Sequence, residues 1–291
     1  MRDEDIAIGI DIGGTKIAAG LVTSPGGAVR GRRLLPTRPE RGGRAVLDDA
    51  LGVTRDLLAE APGRVRIGVA VAELVDPDGR VTSGQTIDWR GLPIVEEFSR
   101  LGPAVVEADT RAGALGEALW GAGRPFENFY YLTVGTGIAG AWVLGRRPYP
   151  GAHGAAGTIA STPGAVAGMS LEEFAGGPGL VARYGRGATR GEEVTAAAER
   201  GEPAAVEIVR SAAEALGVRA ADIVNLLDPE AVIVGGGLGS ADGLYWRIFE
   251  AATRRHIWSG ANRDLPILRA ERGGDAALVG AAAAALGENA R

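Results

Sequence analysis

"IAIGIDIGGTKIAAGLV", residues 6–22, is the stretch that decides how this chain is read. Apolar runs of this kind bury themselves as strands. Here Asp11, Gly13, Gly14, Thr15 and Lys16 interrupt the run at its centre, and it resumes at Ile17 to Val22. Strand, glycine turn and strand make a hairpin. A Gly-rich hairpin exposes backbone N–H groups that bind anions, and glycine lets a phosphate come close. An Asp beside such a turn repels phosphate unless a cation sits between them. Asp11 therefore points to Mg²⁺, a hard ion that keeps waters and uses one or two carboxylates. The same residues also fit an ordinary hairpin with glycine at positive φ.

The 291 residues are enough for one large domain or two lobes. Apolar residues at 46% and charged residues at 23% are those of an ordinary globular protein. The net charge of -5 gives no basic surplus for nucleic acid or an anionic membrane. Lys16 is the only lysine. The absence of cysteine excludes disulfides, thiolate metal sites and thiol catalysis. The acidic "MRDEDIAIG" does not read as a signal peptide. "AALVGAAAAAL" (276–286), the longest apolar tract, is too short to span a bilayer and reads as a buried Ala-rich helix. A cytoplasmic location is expected.

Outward from the hairpin, 28–37 supplies a third antiparallel strand and 42–61 has helical periodicity. Strands follow at 64–72 and 103–108, with a helix at 92–100 between them. Residues 109–123 begin with an N-cap type residue and continue with helix formers. At 128, "NFYYLTVGTGIAGAWVLGRR" repeats the opening pattern of strand, Gly/Thr turn and strand, a coarse internal repeat. Helix is expected from Gly187 through about 227, then a strand into a glycine turn and a helix at 230–240. A strand at 265–270 and a helix at 275–286 complete the chain. Two lobes that each open on a glycine hairpin imply a cleft.

"GTGIAG" (135–140) is literally GxGxxG, but a dinucleotide fingerprint needs a helix after it. Apolar, β-prone "AWVLG" follows instead, which favours a second phosphate hairpin. "VGGGLGS" (234–240) is a possible nucleotide turn. No GxxxxGK[ST] occurs, so a P-loop is excluded. In "VVEADTRAGALGE" (105–117), Asp109 sits where a strand passes into a helix. A carboxylate there either accepts a proton from a hydroxyl nucleophile or caps its helix. Glu107 shares its strand face and reads as solvated.

"DIGGTK", "EADTRAGALGE", "TVGTGIAGAWVLG", "GAHGAAG", "LEEFAGGPGL" and "DPEAVIVGGGLG" together resemble the ROK family of sugar kinases and regulators. The resemblance runs in the family's order over nearly the whole chain. It implies a two-lobed actin-like (ribonuclease H-like) α/β ATPase fold with a central cleft. The N-terminal lobe would span 1–120, joined by the helix of about 275–291, and the C-terminal lobe 121–274. Asp11 would hold Mg²⁺ through water, and Gly13, Gly14, Thr15 and Lys16 would take the terminal phosphates of ATP. Gly135, Thr136 and Gly137 would form the second phosphate turn. Gly235, Gly236 and Gly237 would approach the adenosine and α-phosphate. Asp109 falls on the family's catalytic base, and a homodimer is implied.

The acceptor side departs from the pattern. Ala108 stands where the family commonly has Asn. Thr158 and Ser161 in "GTIAS" replace the sugar-binding Glu and His of "GEIGH". The cysteine-rich zinc loop is missing, so no zinc is expected. Glu172 matches a sugar-binding Glu of the family, and His153 in "GAHG" matches a frequent family residue with either a sugar-facing or a structural role. An intact donor side with a rewritten acceptor side implies a changed substrate, an aminosugar or C7-cyclitol with a primary hydroxyl. The alternatives are a glucokinase-type hexokinase and an inactive sugar or nucleotide sensor, and polyphosphate is an alternative donor. Regulators of the family carry a preceding DNA-binding domain, which is not expected here. Glu73 reads as a solvated loop residue or a partner for an amino group.

Overall fold

The computed structural model describes residues 5–287. It opens with β1 (Asp5–Ile12), β2 (Lys16–Ser24), β3 (Ala28–Pro36), α1 (Gly43–Glu60), β4 (Arg66–Val71), α2 (Ile94–Ser99), β5 (Ala104–Ala108) and α3 (Asp109–Trp120). It continues with β6 (Phe129–Val134), β7 (Ile138–Leu144), β8 (Arg147–Pro148), α4 (Leu171–Ala175), α5 (Gly177–Tyr184), α6 (Gly191–Glu199) and α7 (Pro203–Leu227). β9 (Ala231–Gly235), α8 (Leu244–His256), β10 (Ile267–Arg269) and α9 (Ala276–Leu286) follow. The strands form two five-stranded sheets, in the orders β3-β2-β1-β4-β5 and β10-β9-β6-β7-β8. Backbone contacts divide the chain into two compact units. One takes in the chain through Pro125, Val143–Ala156 and the chain from Gly274, and the other Phe126–Trp142 and Gly157–Gly273.

In the first sheet β1 and β2 pair antiparallel, while β1, β4 and β5 run parallel. Side chains alternate across a strand. Ile8, Ile10 and Ile12 of β1 therefore join Ile67, Val69 and Val71 of β4 in a core closed by Val46, Leu47 and Leu57 of α1. The opposite face is small. Ala7, Gly9, Gly68 and Ala70 lie beneath α9, whose Leu278, Ala281 and Ala282 pack on them. A Cβ on Gly68 would overlap the Ala281 carbonyl oxygen, and one on Gly9 would overlap that of Leu278. Gly280 of α9 is pressed against the Ala112 carbonyl of α3 in the same way. The alanine-rich composition of 276–286 thus has a physical reason: this helix lies backbone to backbone on its neighbours.

The second unit buries Tyr130, Leu132, Val134, Val232 and Val234 against Val209 and Leu216 of α7 and Phe249 of α8. Helix begins earlier than the expected Gly187, because α4 and α5 precede it. Ser170 and Glu173 start α4 with a reciprocal capping box, the Ser170 side chain accepting from Glu173 N and the Glu173 carboxylate accepting from Ser170 N at 2.8 Å. No helix among the described residues is long and apolar enough to cross a membrane.

Two glycine substitutions should have opposite signs. Gly68→Ala forces a methyl onto backbone and is expected to cost about 1–3 kcal/mol. Gly52→Ala, on α1 with nothing near its missing Cβ, is expected to stabilise by about 0.5–1 kcal/mol. Urea denaturation of both variants checks the pair.

Candidate active site

The strand register lines up the parts of the first unit. Ile12, Val71 and Ala108 end three parallel strands side by side. Just beyond them come the turn 13–15, the loop that begins at Ala72, and Asp109. The ends of parallel strands are where open α/β sheets collect their functional groups.

The turn is clamped rather than merely tight. Gly13 N donates to Lys16 O at 3.0 Å. Thr37, fully buried, donates from Oγ1 to Gly13 O at 2.6 Å and from its N–H to Thr15 O at 3.0 Å. Neither Gly13 nor Gly14 adopts positive φ, so the ordinary-hairpin explanation for them does not hold. A Cβ at Gly14 would lie 2.6 Å from Thr86 Cγ2, so glycine is required there by contact. Thr15 and Lys16 are exposed beside it.

Asp11 lies on the α9 face of β1 with Ala7 and Gly9, because its position alternates with Ile10 and Ile12. Its carboxyl is pushed up from 3.8 to about 7. Loss of water contributes most, followed by the charge of Asp109. Asp275 adds to the rise and Lys16 opposes it. Asp109 is the first residue of α3, whose N-cap is Ala108, and its carboxyl is hydrogen-bonded by the Thr110 hydroxyl and backbone. Withdrawal from water raises the Asp109 carboxyl, and the charge of Glu73 adds to this. Thr110 Oγ1, donating to Oδ1 at 3.0 Å, acts the other way.

Two expectations about neighbouring acids are corrected. Glu107 is not simply solvated: it accepts from Arg111 Nε at 2.7 Å and pairs with Arg111 Nη2. Arg111 is buried and also donates to Gly154 O at 2.8 Å and Val75 O at 2.6 Å. One guanidinium thus ties the His153–Gly154 loop and the Val75 loop to the helix that carries Asp109. His153 itself is exposed. Glu73 is neither solvated nor open to an amino group. It is buried, and Gln85 N, Thr86 N, Ile87 N and Ser83 Oγ all donate to its carboxylate.

In the second unit, Gly135, Thr136 and Gly137 join neighbouring strands β6 and β7, with Gly135 N donating to Gly137 O at 2.9 Å. A strand, not a helix, follows GxGxxG. Gly177 N donates to Gly135 O at 2.8 Å, and Gly237 N lies 3.5 Å from where a Gly135 Cβ would be. The glycine turns after β6 and β9 therefore lie together. Gly236 takes φ 82° and seats against Val134, while Gly235 closes β9. The helix after these glycines, α8, starts only at Leu244, and its first N–H is taken by the Glu199 carboxylate. It does not present a free N-terminus to a phosphate. Beside Leu238 lies a cavity of about 480 Å³, lined by Glu199, Arg200, Asp242 and Tyr245 among others. Glu172 accepts from Ile138 N at 2.7 Å, on the second turn. Its own N–H donates to Ala160 O at 3.1 Å, which brings the segment of Thr158 and Ser161, both exposed, to the same place.

Among the described residues, no three acids or histidines converge to enclose a metal. Asp11 nevertheless suits a hard cation that completes its shell with water and phosphate oxygens, because a cation would relieve the mutual repulsion of these carboxylates.

The sequence matches the ROK family over residues 7–288. It is 33% identical over 311 residues to the glucokinase of Streptomyces coelicolor, covering 95% of this chain and 96% of that one. It is 31% identical over 303 residues to an N-acetylmannosamine kinase of Escherichia coli, covering 97% and 98%. The fold matches a ROK family glucokinase from Streptomyces griseus, crystallised with glucose and AMPPNP, at a TM-score of 0.85 and 29% identity, over 97% of this chain and 100% of that one. The chain belongs to the ROK family. Its class is that of a phosphotransferase with an alcohol group as acceptor, a sugar kinase.

Sequence reading alone missed Thr37, Thr86, Arg111 and the cavity beside Leu238. Only Arg111 left a signal, standing four residues after Glu107 as an ion-pair partner does.

Two expectations follow from this geometry. Arg111→Met leaves two buried carbonyls and Glu107 without their donor, and should cost about 3 kcal/mol in a urea titration. In the metal-free protein, Asp11 holds its proton when folded up to about pH 7 but releases it near 3.8 when unfolded. Its contribution to stability is full below about pH 4 and is lost as pH rises through 7. The melting temperature should therefore fall from pH 5 to pH 8 more steeply in the native protein than in Asp11→Asn.

Proposed function

We propose that this chain transfers the γ-phosphate of ATP to a primary hydroxyl of a modified sugar, an aminosugar or C7-cyclitol rather than plain glucose. The observation that carries the reading is Asp109: a half-buried carboxylate at the first residue of α3, on the unit whose β1 carries Asp11. A base with a raised pKa is better matched to proton transfer near neutral pH.

In this reading the backbone amides of 13–15 and of 135–137 hold the phosphate oxygens, with the Lys16 ammonium nearby. Residues 235–237 and the cavity beside Leu238 take the adenosine. Asp11 holds Mg²⁺ through water, and magnesium, when bound, neutralises charge on the phosphoryl group in transfer. Asp109 accepts the acceptor's hydroxyl proton as that oxygen bonds to the γ-phosphorus. The bond from the γ-phosphorus to the bridging oxygen breaks, and ADP leaves with the electron pair. The family's homodimer is proposed here as well.

The acceptor assignment rests on Ala108, Thr158 and Ser161, which offer no carboxamide, carboxylate or imidazole to a glucose-like ring. It also rests on the anionic surroundings of Asp109, where the Asp11 carboxyl favours an acceptor that carries an ammonium group. His153 and Glu172 remain as groups for the ring hydroxyls.

ADP release should be measured with glucose, N-acetylmannosamine, 3-amino-3-deoxyglucose and a C7-cyclitol, and with polyphosphate in place of ATP. Turnover is expected to favour the last two acceptors with ATP as donor. A preference for glucose would make this a glucokinase-type hexokinase. Failure of every acceptor while AMPPNP still binds would make it a sensor. Asp109→Asn should lower kcat by about 10²–10⁴ and leave AMPPNP affinity nearly unchanged; a near-native rate would remove Asp109 from the role of base.

A further inference from the structure

Glu73 and the segment after it are not used by the chemistry above, yet they are built with more care than a connecting loop requires. Glu73 stands two residues past the end of β4. Its carboxylate is buried, and all four of its partners are donors: Gln85 N at 3.0 Å, Thr86 N at 2.6 Å, Ile87 N at 2.9 Å and the Ser83 hydroxyl. The Ser83 oxygen in turn accepts from Leu74 N at 2.8 Å. Residues 83–87 are therefore wound around a single side chain and fastened back to the residue that follows it. Ile87 is anchored in the core beneath. What this winding delivers is the Thr86 methyl, set 2.6 Å from where a Cβ on Gly14 would stand. Thr37 holds the turn through its carbonyls at Gly13 and Thr15, and Thr86 supports it at the residue between them.

We propose that Glu73 is a positioning residue for the turn 13–15, acting through Thr86 to fix the amides that receive the nucleotide's phosphates. This rests on the reading of that turn as a phosphate turn. A carboxylate suits the task because it has acceptor sites for all four donors and no proton of its own to place among them. Glutamine would turn an NH₂ toward donors and release some of them. The loop would then loosen, and the wall under Gly14 with it. Because phosphate binding depends on amides held in advance, the effect should fall on the nucleotide and not on the acceptor.

The test pairs Glu73→Gln with Thr86→Ser, which keeps the Thr86 N–H bond and removes only the methyl beneath Gly14. Amide hydrogen exchange is followed at 13–16 and 83–87 in the free protein. Affinity for AMPPNP with magnesium and the KM values for ATP and acceptor are measured alongside. In Glu73→Gln, exchange should quicken about tenfold at both segments. ATP affinity should weaken about tenfold, while the acceptor KM changes less than about threefold. Thr86→Ser should weaken ATP by a few-fold with no faster exchange at 85–87. If exchange at 13–16 and ATP affinity stay native in Glu73→Gln while 83–87 loosens, Glu73 is a loop scaffold only and the proposal falls. If Glu73→Gln does not fold, Thr86→Ser decides, and native ATP affinity there overturns it. Should the native protein bind no nucleotide, the phosphate reading has failed, and the exchange at 13–16 alone then settles whether Glu73 positions the turn.

Discussion

Asp11 and Asp109 repel one another, and the first unit is arranged so that neither moves away. Asp11 is fixed by β1, which pairs on both sides with β2 and β4. Asp109 is fixed by α3, which is pinned beneath Gly280 of α9 and joined through Arg111 to two loops. Like charges held near each other in a site short of water keep their protons to unusually high pH. They are also a standing demand for a cation. The proposed chemistry draws on that demand: a cation held by one carboxylate would leave the other to take a proton.

Support for this arrangement comes from the groups set around it. Thr37 and Thr86 hold the first turn, Glu73 winds the loop that carries Thr86, and Arg111 gathers the Val75 and Gly154 carbonyls. In the second unit, Glu172 and Gly177 do the corresponding work for the turn 135–137. Glu172 is also joined through its backbone to the segment of Thr158 and Ser161. A change in the 158–161 segment therefore lies close, through Glu172, to the turn 135–137.

Much of this was legible in the order of residues. The strand–glycine–strand pattern at 6–22, the strand after GxGxxG, the helix opening at Asp109 and the buried alanine helix all stand where periodicity put them. The helices α4 and α5 were not read, although Ser170 and Glu173 carry a capping-box signal. Glu73 and Glu107 were read as exposed because their partners, at 83–87 and at Arg111, are chosen by the fold and not by neighbouring residues. The reason for Gly14 was misjudged in the same way: local sequence supplies the residue, but the Thr86 methyl that demands it arrives from far along the chain.

The close seating of α9 on β1, β4 and α3 joins residues 276–286 to strands made of residues 5–108. A ribosome, moving from the N-terminus at about 5–20 residues per second, delivers those strands first and must complete nearly all of the second unit before α9 emerges. Through that interval the sheet face formed by Ala7, Gly9 and Gly68 lacks the cover that α9 gives it in the finished fold. The first unit to be synthesised is thus completed only when α9, encoded after nearly all of the second unit, seats on its glycine-floored face.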